Sequence, residues 1–209
     1  MPMKCLLVDD HSLIRDALAL LIALHYPSVD LRHAGCLADA LKLLAAEPDI
    51  RFVLLDLTLS DSSGISTLQR VRGAVPLARI VVLSADDRPE TVLAAIDAGA
   101  AGFIPKTTES NVLRVAIGTV IDGGVYMPPG TTGAAANQQL VSAELLGLTA
   151  RQVDVLRMVV GGQSNKSIAR ALDLAPSTVK THMEAIFLRL HVSSRTQAVV
   201  AAARLGLKL

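Results

Sequence analysis

Residues 51–59, RFVLLDLTL, set the frame for the rest of the chain. Phe52, Val53, Leu54 and Leu55 form an uninterrupted apolar run. Such a run is expected of a strand buried on both faces, the usual state of a central strand in a parallel sheet. The run ends in Asp56. A carboxylate is costly to desolvate unless it lies at an edge, is paired, or binds a cation. Ligands of open α/β sheets sit at the carboxyl ends of the strands. Asp56 is therefore either an exposed, working carboxylate or a strand-ending residue that caps a turn, and the flanking sequence has to decide between them.

Upstream, residues 4–8 form a short apolar run ending in Asp9-Asp10. A helix pattern follows, with Leu13, Ala17, Leu20, Leu21 and Leu24 at helical spacing, closed by Pro27. A second strand at 29–34 precedes a helix at 37–46, stopped by Pro48. Downstream, a polar loop at 58–64 leads to a helix at 65–72. A strand at 78–83 then ends at Ser84. A helix at 88–98, closed by Gly99, and a strand at 101–104 lead to Pro105-Lys106, and a fifth helix runs over 109–121. Strand–helix five times over predicts a doubly wound, five-stranded parallel α/β sheet covered on both faces.

Composition narrows the classes. The chain has 209 residues, room for one large or two small domains. It is 51% hydrophobic but only 2% aromatic, so the core is aliphatic and stacking platforms for single-stranded nucleic acid are not expected. Cys5 and Cys36 form neither a CxxC nor a Cys/His cluster, which argues against structural zinc and a disulfide framework and suits a reducing cytoplasm. The five histidines show no metal-ligand spacing and are expected as surface or capping residues. The N-terminus reaches its acidic pair too soon for a signal peptide, and the longest apolar stretch of the first helix, 17–24, is too short to span a bilayer. The net charge of +1 hides an asymmetry. Residues 1–124 carry 11 Lys and Arg against 15 Asp and Glu, a net of −4; residues 125–209 carry 9 against 4, a net of +5. A polyanion is the expected partner of the basic part.

In a doubly wound sheet Asp9, Asp10, Asp56, Ser84 and Lys106 all face one crevice. Carboxylate oxygens with water are what Mg²⁺ prefers. A carboxylate attacks phosphorus as a nucleophile, and an ion, an ammonium and a hydroxyl stabilise charge on the transferred oxygens. With LLVDDHSLIR, VLLDLTLSDSSG, IVVLSA and GFIPK in this order and spacing, residues 1–124 resemble the receiver domain of bacterial two-component response regulators. The resemblance implies that Asp56 accepts a phosphoryl group from a sensor histidine kinase. It implies that Asp10, with Asp9 helping through water, binds Mg²⁺ together with Asp56 and the backbone carbonyl of Thr58, and that Ser84 and Lys106 contact phosphoryl oxygens. It also implies that Ser84 and Phe103 form the pair reporting phosphorylation. Ser60 stands where the family often has Pro, which loosens the loop. The plainer readings are that Phe103 is only core and Ser84 only a strand cap.

Residues 123–137 are rich in Gly, Pro, Thr and Ala and are expected as a linker, with part of 138–146 helical. From Leu148 the pattern is helical. Thr149 is a good N-cap for a helix through Val160, with Val153, Leu156 and Val160 inward, followed by helices at 165–172, 176–190 and 194–205. In the third, Val179, Met183, Ile186, Phe187 and Leu190 share one face, with Thr181, Glu184, Ala185 and Leu188 opposite. SIARALDLAPSTVK joins two helices by a tight turn, the helix-turn-helix arrangement whose second helix enters the major groove of double-stranded DNA. A helical dimerisation bundle is the alternative that composition leaves open. Residues 147–209 resemble the LuxR/FixJ (NarL-type) DNA-binding domain. That resemblance implies that Lys180, Thr181 and Glu184 face bases or phosphates, with Lys166, Ser177 and Thr178 as backbone contacts. Gln152 replaces a usual Glu. Glu184 replaces a usual basic residue, so sequence preference does not carry over.

The expected division is a receiver at 1–124, a linker at 125–146 and a four-helix helix-turn-helix domain at 147–209. The expected protein is a cytoplasmic, phosphorylation-controlled transcriptional regulator, a homodimer when active, with no membrane partner and no enzymatic turnover. The alternatives are a degenerate receiver acting without phosphorylation, a helical domain that binds protein instead of DNA, and a Mg²⁺-dependent phosphohydrolase. The last is weakened because Thr58 stands where such enzymes commonly place a second acid/base Asp.

Overall fold

The computed structural model describes residues 3–129, 131 and 146–205. In chain order these form β1 (Met3–Val8), α1 (Ser12–His25), β2 (Val29–Ala34), α2 (Leu37–Ala46), β3 (Phe52–Asp56), β4 (Thr58–Leu59), β5 (Ser62–Ser63) and α3 (Ile65–Ala74). There follow β6 (Arg79–Ser84), α4 (Pro89–Asp97), β7 (Gly102–Pro105) and α5 (Ser110–Ile121), then α6 (Ala150–Val160), α7 (Asn165–Ala171), α8 (Pro176–Leu190) and α9 (Arg195–Arg204). Five strands make one parallel sheet in the order β2-β1-β3-β6-β7. The expected doubly wound α/β sheet and the helical helix-turn-helix unit are both present.

The central strands are apolar on both faces because both faces are covered. All of Phe52–Asp56 is buried. Val53 and Leu55 point into one core with Leu6, Val8, Ile80, Val82 and Phe103, against residues of α2, α3 and α4. Phe52 and Leu54 point into the other with Cys5, Leu7, Val81, Leu83 and Ile104, against α1 and α5. The two-residue alternation of a strand divides one apolar run between two cores.

Three local expectations are corrected. On α1 the inward residues are Leu18 and Ile22, while Leu13, Leu20 and Leu24 are 80%, 71% and 72% exposed. That helix is apolar on more than one face, so spacing alone does not select the buried one. On α6 the buried residues are Val155, Leu156 and Val159, with Val160 exposed and Val153 half-buried. The loop after β3 holds a short antiparallel hairpin, β4–β5. Its tip supplies Asp61, whose carboxylate accepts the Leu37 and Ala38 N–H groups at 2.8 and 2.9 Å and so caps the first turn of α2 from outside the helix. These bonds hold the Asp61 carboxyl below the ordinary carboxylate range.

The helical unit has its own core of Val155, Leu156, Val159, Ile168, Val179, Met183, Ile186 and Leu190. Thr149 caps α6 as expected. Its side chain accepts the Gln152 N–H, and the Gln152 side chain accepts the Thr149 N–H in return. Such a cap is worth about 1 kcal/mol, and a neutral Gln supplies it without the usual Glu.

The start of the stretch expected as linker is packed. Tyr126 O accepts the Phe103 N–H at 2.9 Å, and Val125 is buried in the helical core. The helix expected within 138–146 falls almost wholly outside the described residues. The two halves also meet through α9. Thr196 Oγ1 donates to Ala101 O at 3.0 Å, Arg204 Nη2 lies 3.6 Å from Asp97 Oδ2, and Val200 is buried against the first sheet core.

Candidate functional site

The register of the sheet brings four strand ends together. Val8 lies beside Leu55, Asp56 beside Leu83, and Ser84 beside Pro105. The residues at or just beyond those ends are Asp9-Asp10, Asp56, Ser84 and Lys106. Lys106 Nζ lies 2.6 Å from Asp56 Oδ2 and 2.7 Å from Asp9 Oδ2, and both carboxylates are buried. The second oxygen of Asp56 accepts the Thr58 N–H at 3.0 Å. Asp56 closes the turn to Thr58, as the turn-capping reading expects, and it is buried, not exposed, facing a charged cluster.

Burial pushes the Asp56 carboxyl above its ordinary range, against the opposing pull of Lys106 and the Thr58 N–H. Burial also works to lower Lys106. Its pairing with the Asp56 and Asp9 carboxylates outweighs it, and the ammonium is held above its ordinary value. The Asp56 carboxylate is therefore desolvated yet paired, the state of a charge kept in place by one cation.

Asp9, Asp10, Asp56 and His11 offer ligand atoms that all lie within 4.8 Å of one another. Asp9 Oδ2 and Asp10 Oδ1 are buried with no hydrogen-bond donor. Lys106 Nζ is near Asp9 Oδ2 but is not aligned to donate to it in hydrogen-bond geometry. Carboxylate oxygens left without donors fit a hard dication such as Mg²⁺. His11, expected as a surface or capping residue, is the exposed N-cap residue of α1 and stands beside the acidic pair.

Ser84 is buried at the end of β6, where its Oγ accepts the Asp86 N–H at 3.1 Å. Asp86 in turn accepts from Arg88 Nε at 2.8 Å and Thr91 Oγ1 at 2.9 Å, which fixes the approach to α4. Phe103 is fully buried in the core shared with α4. Thr58 lies in β4 with its side chain exposed.

A second surface lies on the helical unit. Leu174 N–H donates to Ala169 O at 2.8 Å, and Asp173 takes the left-handed conformation (φ 53°), closing a tight turn between α7 and α8. The inner face of α8 buries Val179, Met183, Ile186 and Leu190. Ser177, Lys180, Thr181, Glu184 and Leu188 are exposed on its outer side, as is Lys166 on the first turn of α7. Thr178 is half-buried. Lys180 Nζ lies 3.9 Å from Glu184 Oε1.

Comparison with known proteins identifies both domains. The response regulator receiver domain family matches residues 5–118, and the luxR family of bacterial regulatory proteins matches residues 146–202. The chain belongs to the NarL/FixJ family of two-component response regulators. It is 34% identical to the glycerol metabolism activator of Pseudomonas putida over 95% of this chain and 94% of that one. It is 35% identical to the nitrate/nitrite response regulator NarP of Escherichia coli over the same shares. A LuxR family DNA-binding response regulator from Silicibacter pomeroyi superposes with a TM-score of 0.54 at 31% identity, over 61% of this chain and 98% of that one. This regulator is a DNA-binding transcriptional regulator built from a receiver and a LuxR-type domain.

The raised pKa of Asp56 has a stability consequence. Folding favours the protonated form. The resulting stabilisation is complete below an unfolded value of about 3.9 and is lost as pH rises through the folded value. At neutral pH the ionised group weighs against folding. Asp56→Asn is expected to raise the urea midpoint at pH 7, with the gain shrinking toward pH 4. A lower midpoint at pH 7 would mean that the Lys106 pairing outweighs burial.

Proposed function

We propose that Asp56 accepts a phosphoryl group from a sensor histidine kinase, and that this controls DNA binding by the helical domain. The observation that carries the reading is the buried carboxylate pair bridged by Lys106 at the strand ends. An oxygen of Asp56 bonds to phosphorus as the bond to the donor nitrogen breaks, and the electron pair leaves with the donor. Lys106, already in place, holds a phosphoryl oxygen where charge develops. Ser84 Oγ gives up its bond from Asp86 N–H and takes another phosphoryl oxygen. A Mg²⁺ ion held by Asp9, Asp10, Asp56 and the Thr58 carbonyl would offset the remaining phosphoryl charge.

The route outward follows α4. Ser84 sits at its approach, Phe103 packs in the core it covers, and its last residue, Asp97, contacts α9. A change at Ser84 and Phe103 biases this contact and with it the freedom of the DNA-binding domain to pair on a two-fold site. On DNA, Lys180, Thr181 and Glu184 face base edges or phosphates in the major groove, and Lys166, Ser177 and Thr178 contact the backbone. The working division is a receiver at 1–124, a linker at 125–146 and a DNA-binding domain at 147–209. No helix among the described residues is long and apolar enough to cross a membrane. We place the regulator in the cytoplasm as a homodimer when active, without catalytic turnover.

Incubation with a small phosphodonor and Mg²⁺, read by intact mass, is expected to add one phosphoryl group to the wild type and none to Asp56→Asn. An unmodified wild type would leave a degenerate receiver. On DNA, Lys180→Ala and Lys166→Ala are each expected to weaken binding and to flatten the salt dependence by about one charge. Variants with wild-type affinity and salt slope would remove these lysines from the interface.

A further inference from the structure

The outer side of α8 carries a charge that the fold does not explain. Glu184 is the one carboxylate of this 15-residue helix, and it is exposed. Its charged neighbour, Lys180, lies 3.9 Å away and is exposed as well. An exposed pair of this kind contributes little to stability. With the lysine on the N-terminal side of the glutamate, it also stands in the weaker order for a helix.

The residues around Glu184 leave it a distinct role in a DNA groove. Thr181 Oγ1 donates to Ser177 O at 3.2 Å, so its proton is turned back to the helix. Leu188, one turn further on, is exposed and apolar. On this stripe Lys180 donates and does not accept, while Glu184 accepts and does not donate. A carboxylate brought near DNA is repelled by the phosphates and gains only where it meets a donor. The major groove offers two kinds, the N4 amino group of cytosine and the N6 amino group of adenine. The adenine amino group has an acceptor on each side, its own N7 and the O4 of the paired thymine. Cytosine N4 has one such neighbour, the O6 of the paired guanine. The carboxylate therefore meets least repulsion at cytosine. Lys180 supplies the positive charge that keeps the stripe locally neutral as the helix approaches, and its own acceptors are guanine O6 and N7.

We propose that Glu184 determines the sequence preference of α8 by accepting a hydrogen bond from the N4 amino group of a cytosine in each half-site. This deepens the DNA-reading role of α8 proposed above and rests on it. The carboxylate acts by rejection as much as by attraction: guanine O6 and N7 or thymine O4 at the same place leaves a negative group facing acceptors.

The test is selection of duplexes from a randomised pool by the full chain, as wild type, Glu184→Gln and Glu184→Ala, with the bound fraction sequenced. Glu184 is exposed, so neither substitution disturbs the core. The wild type is expected to enrich cytosine at one position of each half-site. Glu184→Gln should move that position to adenine, whose N6 and N7 suit an amide, and Glu184→Ala should lose the preference there while the other positions hold. Replacing that cytosine pair by a thymine pair in an enriched duplex should weaken the wild type about tenfold and leave Glu184→Ala nearly unaffected. Enriched sequences that are the same for all three proteins overturn the proposal and leave DNA reading by α8 standing. A Glu184-dependent position at which the wild type selects adenine, guanine or thymine overturns the cytosine assignment. If no protein enriches any sequence, the DNA-reading role of α8 fails and this proposal falls with it.

Discussion

One ammonium group pairs the two buried carboxylates at the edge of this sheet. Lys106 Nζ stands between Asp9 and Asp56, within 2.7 Å of an oxygen of each. The parallel topology makes such a group necessary. Strands that all run the same way deliver their terminal residues to one edge, and here that edge receives three carboxylates. Two buried carboxylates do not stay ionised side by side without a cation. The same constraint explains why the site suits phosphoryl transfer. Its charges are already desolvated and oriented, so a negative group arriving at Asp56 meets a fixed cation instead of solvent.

The path from that edge to the helical domain is short. Ser84 ends β6, its hydroxyl is tied to Asp86, and Asp86 is tied to Arg88 and Thr91 at the start of α4. The far end of α4 meets Arg204 of α9, while Thr196 at the start of α9 bonds Ala101 just before β7. Through these contacts the receiver grips α9 and leaves Lys180, Thr181 and Glu184 of α8 exposed. Tyr126 and Val125 add a second tether, one to the β7 backbone and one to the helical core.

Much of this was legible in the sequence because buried parallel strands are written as plain apolar runs. Residues 52–55 announce β3, and the polar residues that break each run mark the shared edge, so Asp9, Asp10, Asp56, Ser84 and Lys106 emerge together. The inner face of α8 was legible for the opposite reason: its outer side carries Lys180, Thr181 and Glu184, which sets the apolar stripe apart despite the exposed Leu188. Where a helix is apolar on more than one face, as α1 is, periodicity does not choose a face, and Leu13, Leu20 and Leu24 turned out to be exposed. Tertiary capping leaves no local mark either. Asp61 caps a helix whose first residues lie more than twenty positions away. The packed residues 125–127 sit in a stretch whose Gly and Pro content reads as linker.

The central claim is that chemistry at Asp56 is felt at α9 through α4. The most direct measurement is amide hydrogen exchange of the full chain, with and without phosphorylation, followed in peptides from Pro89–Asp97 and Arg195–Arg204 and compared with Asp56→Asn under the same donor. The account predicts faster exchange in both segments on phosphorylation, absent in the variant. Unchanged exchange in both, with Asp56 fully phosphorylated, would contradict it.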